Sequence, residues 1–222
     1  MNSAFALPRD GDGARWFGLY PALVSDLVDP EARGRIKVRF PSFGADGAAV
    51  SAWATLLSSY ADIGQGLQVL PEVDSQVVVG FEAGDPHRPY IVGACWNGAA
   101  ALPEPAAAAN NLRTFRSRSG SQLQFDDSKN AAMVTVSMQS GHQLVLDDAA
   151  QSVSLTHSNG CKIEMNAAGT ITVTANATVD VTASVVNLKA PMVKCDGVVQ
   201  CETLITNAVI SASYTPGAGN IW

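Results

Sequence analysis

Gly34-Arg35-Ile36-Lys37-Val38-Arg39-Phe40-Pro41 decides the fold of the first half of this chain. Charged and apolar residues alternate along it without a break, the period of a strand with one buried and one wet face. Gly34 and Pro41 punctuate its ends, since neither residue continues a regular ladder. Working outward, Gln76-Val77-Val78-Val79-Gly80-Phe81 and Tyr90-Ile91-Val92-Gly93 are β-branched runs. Between them, Glu82-Ala83-Gly84-Asp85-Pro86-His87-Arg88-Pro89 is a polar Gly/Pro turn. No stretch between residues 15 and 97 keeps a 3.6-residue apolar period for three turns. Short strands cut by frequent turns predict a small closed β-barrel.

Past the barrel, residues 98–111 contain Pro103, Pro105 and a run of alanines. The prolines discourage a continuous helix, so the segment reads as a linker. Then an internal repeat begins. Ser119-Gly120-Ser121-Gln122-Leu123-Gln124-Phe125-Asp126-Asp127 returns 21 residues later as Ser140-Gly141-His142-Gln143-Leu144-Val145-Leu146-Asp147-Asp148. A weaker third copy runs from Asn159 to Asn166. Each copy is a Gly turn, an alternating strand and a polar turn. The longest alternation follows, with Ile171, Val173, Ala175, Ala177, Val179, Val181, Ala183 and Val185 apolar and Thr, Asn, Asp and Ser between them. The phase flips at Val186, Leu188, Ala190 and Met192 and again at Val193, as a corner or bulge would require. This narrow Val/Ala/Ile/Thr face has no helix to cover it. A single-chain hexapeptide solenoid would show a six-residue apolar repeat, which the sequence lacks. Winding of several identical chains is therefore predicted.

Composition narrows the function. The chain has 222 residues, 47% hydrophobic and 15% charged, against about 25% charged in ordinary globular proteins. Its net charge is −6, and acidic residues outnumber basic ones on both sides of residue 100. Phosphate-driven nucleic-acid binding has little support in that balance. Cys95, Cys161, Cys195 and Cys201 are scattered without ligand-type spacing, and are expected to be reduced, small apolar residues. His157 and Cys161 would lie ~13 Å apart in a straight strand, so no shared metal is predicted. Asp126-Asp127 and Asp147-Asp148 recur with the structural repeat and read as turn residues rather than paired acid–base groups. No Gly-x-Ser-x-Gly elbow, His-Glu-x-x-His or dinucleotide fingerprint is present. The expectation is no enzyme, no cofactor and no metal. The opening Met1–Asp10 lacks the basic-then-apolar order of a leader, which predicts synthesis in the cytoplasm without a signal peptide.

Several ordered motifs resemble a known family. Tyr20-Pro21-Ala22-Leu23-Val24, Asp29-Pro30, the Gly34–Pro41 strand, Trp53-Ala54, Gly64-Gln65-Gly66, Leu70-Pro71-Glu72-Val73-Asp74 and Val79 to Gly93 resemble the OB-fold domain of contractile-tail spike proteins. These are the phage baseplate assembly protein V family and its VgrG-like relatives of type VI secretion. The Ser-Gly-x-Gln-Leu-x-x-Asp-Asp repeats are similar to the entrance of that family's β-helix.

The resemblance implies an all-β chain with an N-terminal OB-fold barrel followed by an intertwined, trimeric β-helix. Its expected parts are an arm over 1–17, an OB collar over 18–97, the 98–111 linker, a needle over 112–213 and a tip over 214–222. It implies a homotrimeric, mechanically driven cell-puncturing spike in a phage baseplate or phage-like particle. Ile171, Val173, Val179, Val181, Val185 and Leu188 are expected to pack on the axis. A separate hub protein is expected at the collar, because the relatives' N-terminal hub domain is missing from this sequence. No lysozyme domain and no strict Val-x-Gly octad is found, and no His-x-His motif that binds iron at some spike tips. A PAAR-like cap is therefore expected against Tyr214, Pro216, Ile221 and Trp222. The target envelope is a transient partner; nucleic acid is not expected. The alternative is an OB-fold module on a β-stalk that binds nucleic acid or oligosaccharide, which would need a basic, aromatic face. A trimeric surface adhesin would share the stalk but should carry an export signal.

Overall fold

The computed structural model describes residues 15–43 and 50–213. The protein is all-β. Five strands close a barrel in the order β1-β2-β3-β7-β6: β1 (Tyr20–Asp26), β2 (Arg35–Phe40), β3 (Val50–Leu56), β6 (Gln76–Phe81) and β7 (Pro89–Ala94). A short hairpin, β4 (Ala61–Asp62) and β5 (Gln65–Gly66), stands in the connection between β3 and β6. All barrel pairings are antiparallel except β3 with β7, where Thr55 faces Tyr90 and Leu56 faces Ile91. That parallel seam, with β1 against β6, closes the sheet on itself and leaves no free edge.

The alternation in β2 is realised residue by residue. Ile36, Val38 and Phe40 are at most 1% exposed and meet Val24, Val77, Val79 and Ile91 in one core. Burying each such side chain stabilises the fold by about 1.5–3 kcal/mol. Trp16 closes one end, with its ring 4.5 Å from Phe43 and 5.0 Å from Phe81 between centroids. Its amide donates to the Gly84 carbonyl at 2.8 Å. Gly84 is required there: its φ is +81°, and a Cβ would come within 3.1 Å of the Phe17 ring.

The turn from β1 to β2 is held by one carboxylate. Asp29 accepts hydrogen bonds from the Glu31, Arg33 and Arg35 amides and a bidentate pair from the Arg35 guanidinium at 2.8 and 2.9 Å. Only 3% of its side chain is exposed. The Arg35 guanidinium and those three amides hold the Asp29 carboxyl well below the usual carboxylate range, against the opposing effect of burial. Nothing but Asp29-Pro30 in the family motif marked this clamp in the sequence.

Residues 98–111 carry no strand, and they are tied down. Arg116 donates to the Pro103 carbonyl at 2.7 Å and to Glu104 at 2.6 Å, and Gln124 also reaches Glu104. Seven strands then form a single antiparallel meander: β8 (Leu112–Arg116), β9 (Gln122–Asp126), β10 (Met133–Ser137), β11 (Gln143–Asp147), β12 (Ser152–Thr156), β13 (Lys162–Met165) and β14 (Ile171–Thr174). Each repeat read from the sequence is a turn leading into one of these strands. Gly120, Gly141 and Gly160 take φ of +83°, +93° and +93° at equivalent turns, a conformation that costs glycine little.

The run from Ile171 to Val185, predicted as one alternating strand, is paired only over its first four residues. There β14 has a backbone neighbour, β13, in the same chain. Ala177–Trp222 make up a second unit. Among its described residues there is no strand and no backbone-to-backbone hydrogen bond. The path bends at Ala177, Ser184, Pro191, Asp196–Gly197, Glu202, Asn207 and Ala212. An adjacent apolar pair lies within each interval from Ser184 on: Val185-Val186, Met192-Val193, Val198-Val199, Leu204-Ile205 and Val209-Ile210. The sequence lacks a strict six-residue repeat because these intervals run unevenly from five to seven residues.

Candidate functional site: the uncovered face of the stem

Register, not composition, builds the most unusual surface of the molecule. Cross-strand pairing from β8 to β14 aligns Phe115, Leu123, Val136, Leu144, Leu155, Ile163 and Val173 in one row. A second row on the same face holds Arg113, Phe125, Val134, Leu146, Val153, Met165 and Ile171. Thirteen of the fourteen positions are large and apolar. The opposite face reads Thr114, Gln124, Thr135, Val145, Ser154, Glu164 and Thr172 across its middle row.

Nothing in the chain covers the apolar rows among the described residues. Leu155 is 52% exposed and Phe115 58%, whereas Gln124 and Thr135 on the polar face are half-buried. The bare patch amounts to something on the order of 1,000 Å², beyond the ~300–600 Å² that the largest patch on a typical monomer reaches.

The six residues expected on an axis fall into two groups. Ile171 and Val173 end the two apolar rows. Val179, Val181, Val185 and Leu188 lie in the second unit and are 60–72% exposed. Tyr214, Pro216, Ile221 and Trp222 lie outside the described residues.

The polar constellations serve the turns. The Ser128 hydroxyl and amide hold the Asp126 carboxyl below its ordinary range, and Asp147 accepts the Ala150 amide at 2.8 Å. Asp127 faces Arg113 at 3.5 Å. His157 and Cys161 are not strung along a strand as the ~13 Å spacing assumed. They flank a tight turn in which the His157 amide donates to the Cys161 carbonyl at 2.8 Å. The sequence reading also missed a tilted contact of His142 with His157, ring centroids 4.2 Å apart. Both rings accept a backbone N–H at Nδ1, from Ser158 and Asn159. Among the described residues no three His, Cys, Asp or Glu side chains come together as a metal site.

On the barrel, β2 turns Arg35, Lys37 and Arg39 outward, and Trp53 sits across from Lys37. Arg35 and Lys37 approach the Trp53 ring to 6.0 and 5.9 Å. Arg35 is already neutralised by Asp29 and Glu31, which leaves Lys37 and Arg39 as the charge of that face.

A closed five-stranded barrel carrying a one-layer β-stem defines an OB-type module with a bare apolar sheet face. Residues 20–96 match the family described as the type VI secretion system/phage-baseplate injector OB domain. The chain is 26% identical over 147 residues to the type VI secretion system spike protein VgrG4b of Pseudomonas aeruginosa, covering 61% of this chain and 18% of that protein. It is 28% identical over 131 residues to VgrG1a of the same organism, covering 54% and 20%, and 24% identical over 131 residues to VgrG3 of Vibrio cholerae, covering 53% and 13%. It thus spans a fifth or less of the length of these relatives. In these stretches the chain is similar to VgrG-like baseplate spikes. Among the described residues no helix is long and apolar enough to cross a membrane.

Proposed function

We propose that three copies of this chain form the spike of a contractile tail or phage-like injection particle, driven mechanically through a target envelope by sheath contraction. The observation that carries this reading is the bare two-row apolar face of β8–β14, attached to a barrel of the injector type. Simple geometry supports three copies. A five-residue strand is about 16 Å long, so three such sheets set edge to edge enclose a triangle whose centre lies ~5 Å from each face. That is half of the ~10 Å at which stacked sheets pack. The inward rows then meet on the axis and cover one another. Residues 177–213 receive from neighbouring copies the backbone partners their own chain lacks, winding into an intertwined β-helix with Ile171, Val173, Val179, Val181, Val185 and Leu188 inward. The spike performs no bond chemistry. In this reading the collar over 18–97 meets a hub protein, and the 214–222 segment seats a PAAR-like cap.

Sedimentation equilibrium of the full chain is the direct test. A mass three times the 23.1 kDa protomer is expected; a monomer or a stable dimer overturns the architecture. The Lys37, Arg39 and Trp53 face is the one observation favouring the nucleic-acid alternative. Micromolar, salt-dependent binding of single-stranded DNA, abolished by Trp53→Ala, would move the function there.

A further inference from the structure

The connection from β3 to β6 breaks the usual rules for an exposed loop. Its hairpin β4–β5 pairs Asp62 with Gln65, so Ile63 and Gly64 are the two turn residues. Two-residue hairpin turns favour Asn, Asp and Gly. Ile63 instead holds a β-branched apolar side chain at the very tip, 94% exposed. Its surroundings are stiff. The Ser58 hydroxyl reaches the Tyr60 and Leu67 carbonyls at 3.0 and 2.9 Å, and the Tyr60 hydroxyl donates to Gln65 at 2.7 Å. Gly66 permits the close approach of the two arms, since a Cβ there would lie 2.7 Å from the Tyr60 carbonyl oxygen. A braced, exposed apolar knob loses little freedom when it is buried.

The same connection also lines a hole. A cavity of about 280 Å³ opens between this loop and the barrel wall, lined by Leu57, Leu67, Val69, Leu70 and Ile91. Ile63 of the same chain does not fill it, as its exposure shows. The loop also borders the stem, because Glu72 pairs with Arg118 in the β8–β9 turn at 3.1 Å. Tyr60, Ile63 and the loop's lining residues together expose on the order of 600 Å², close to the ~800 Å² per partner of a standard interface.

We infer that the occupant is a second copy of this chain: Ile63 of each barrel seats in the Leu57/Leu67/Val69/Leu70 cavity of the next. A knob and a hole at different points of one surface make a head-to-tail contact, which closes into a ring when the rotation between copies is fixed. The stem fixes it, so the inference rests on the trimeric reading above. It adds that the collar has its own latch.

The test uses the full chain with Ile63→p-benzoylphenylalanine, irradiated as a mixture of isotopically light and heavy copies. Light–heavy cross-links to peptides spanning 56–70 or 89–94 are expected. Adding Leu67→Asp should cut their yield by roughly tenfold or more, the factor set by ~1.4 kcal/mol of lost contact. Ile63→Asp in the unlabelled chain should keep the trimer mass while increasing amide exchange over 57–73. If the wild-type chain is trimeric but cross-links form only within one copy, or exchange is unchanged, the latch is wrong and the trimer stands. A monomeric wild-type mass instead removes the trimeric reading, and the latch with it.

Discussion

Strands β2 and β11 have the same kind of sequence and opposite fates. In β2 the apolar members of the alternation are at most 1% exposed. In β11 Leu146 is 43% exposed and its row lies bare along the stem. The difference comes from topology. The parallel β3–β7 seam curls the first sheet until its apolar face covers itself, whereas the meander adds strands one after another in a single layer and never returns. Alternation fixes which face is apolar; closure decides what covers it. The barrel answers from within the chain, and the apolar rows of the stem stay bare within it.

The largest expected effect tests that contrast at one position. Leu146→Asp leaves a single chain nearly unaffected, because the side chain is 43% exposed on an uncovered face. In a trimer it places three carboxylates on the axis at one level, where desolvation costs several kcal/mol per ion. Sedimentation should show loss of the trimer with the barrel still folded. Val145→Asp, one residue away on the polar face, should leave the mass unchanged. Equal behaviour of the two variants would break the comparison. Ile36→Ala probes the opposite region: the barrel should lose roughly 2–5 kcal/mol in denaturant unfolding while the trimer mass persists.

A smaller effect sharpens the account of the barrel. The Asp29 carboxyl is held below its ordinary range by Arg35 in the folded state. Its contribution is therefore full above the unfolded carboxylate value of about 3.9 and drains away as pH falls below it. Asp29→Asn should lower the barrel's melting temperature at neutral pH and flatten its pH dependence below about pH 4. An undiminished acid dependence in the variant would show that other carboxylates set it.

The barrel was legible because side-chain period, turn residues and family motifs agreed over the same residues, as at Gly34–Pro41. The repeats of the stem were legible for the same reason. Hydrogen-bond partnership was not. Nothing in Ile171–Val185 says that Thr174 is the last residue with a strand partner, since period-2 patterning reports faces and is blind to edges. The Asp29 clamp and the Glu104 strap escaped for a related reason. Each depends on one side chain meeting atoms several to many residues away, which no local pattern records. The bends after residue 177 went unseen because their spacing is uneven.

The repeat that builds the stem also sets a unit of length. Leu123 and Leu144 occupy the same row two strands apart, so one 21-residue copy advances the sheet by about 9.6 Å at ~4.8 Å per strand. Its cross-section does not change, because each hairpin returns the same residues to the same face. Duplicating or deleting one whole hairpin in frame would lengthen or shorten the stem by that step and leave both ends as they are. The stem is a ruler graduated in hairpins, and its reach is counted in whole hairpins.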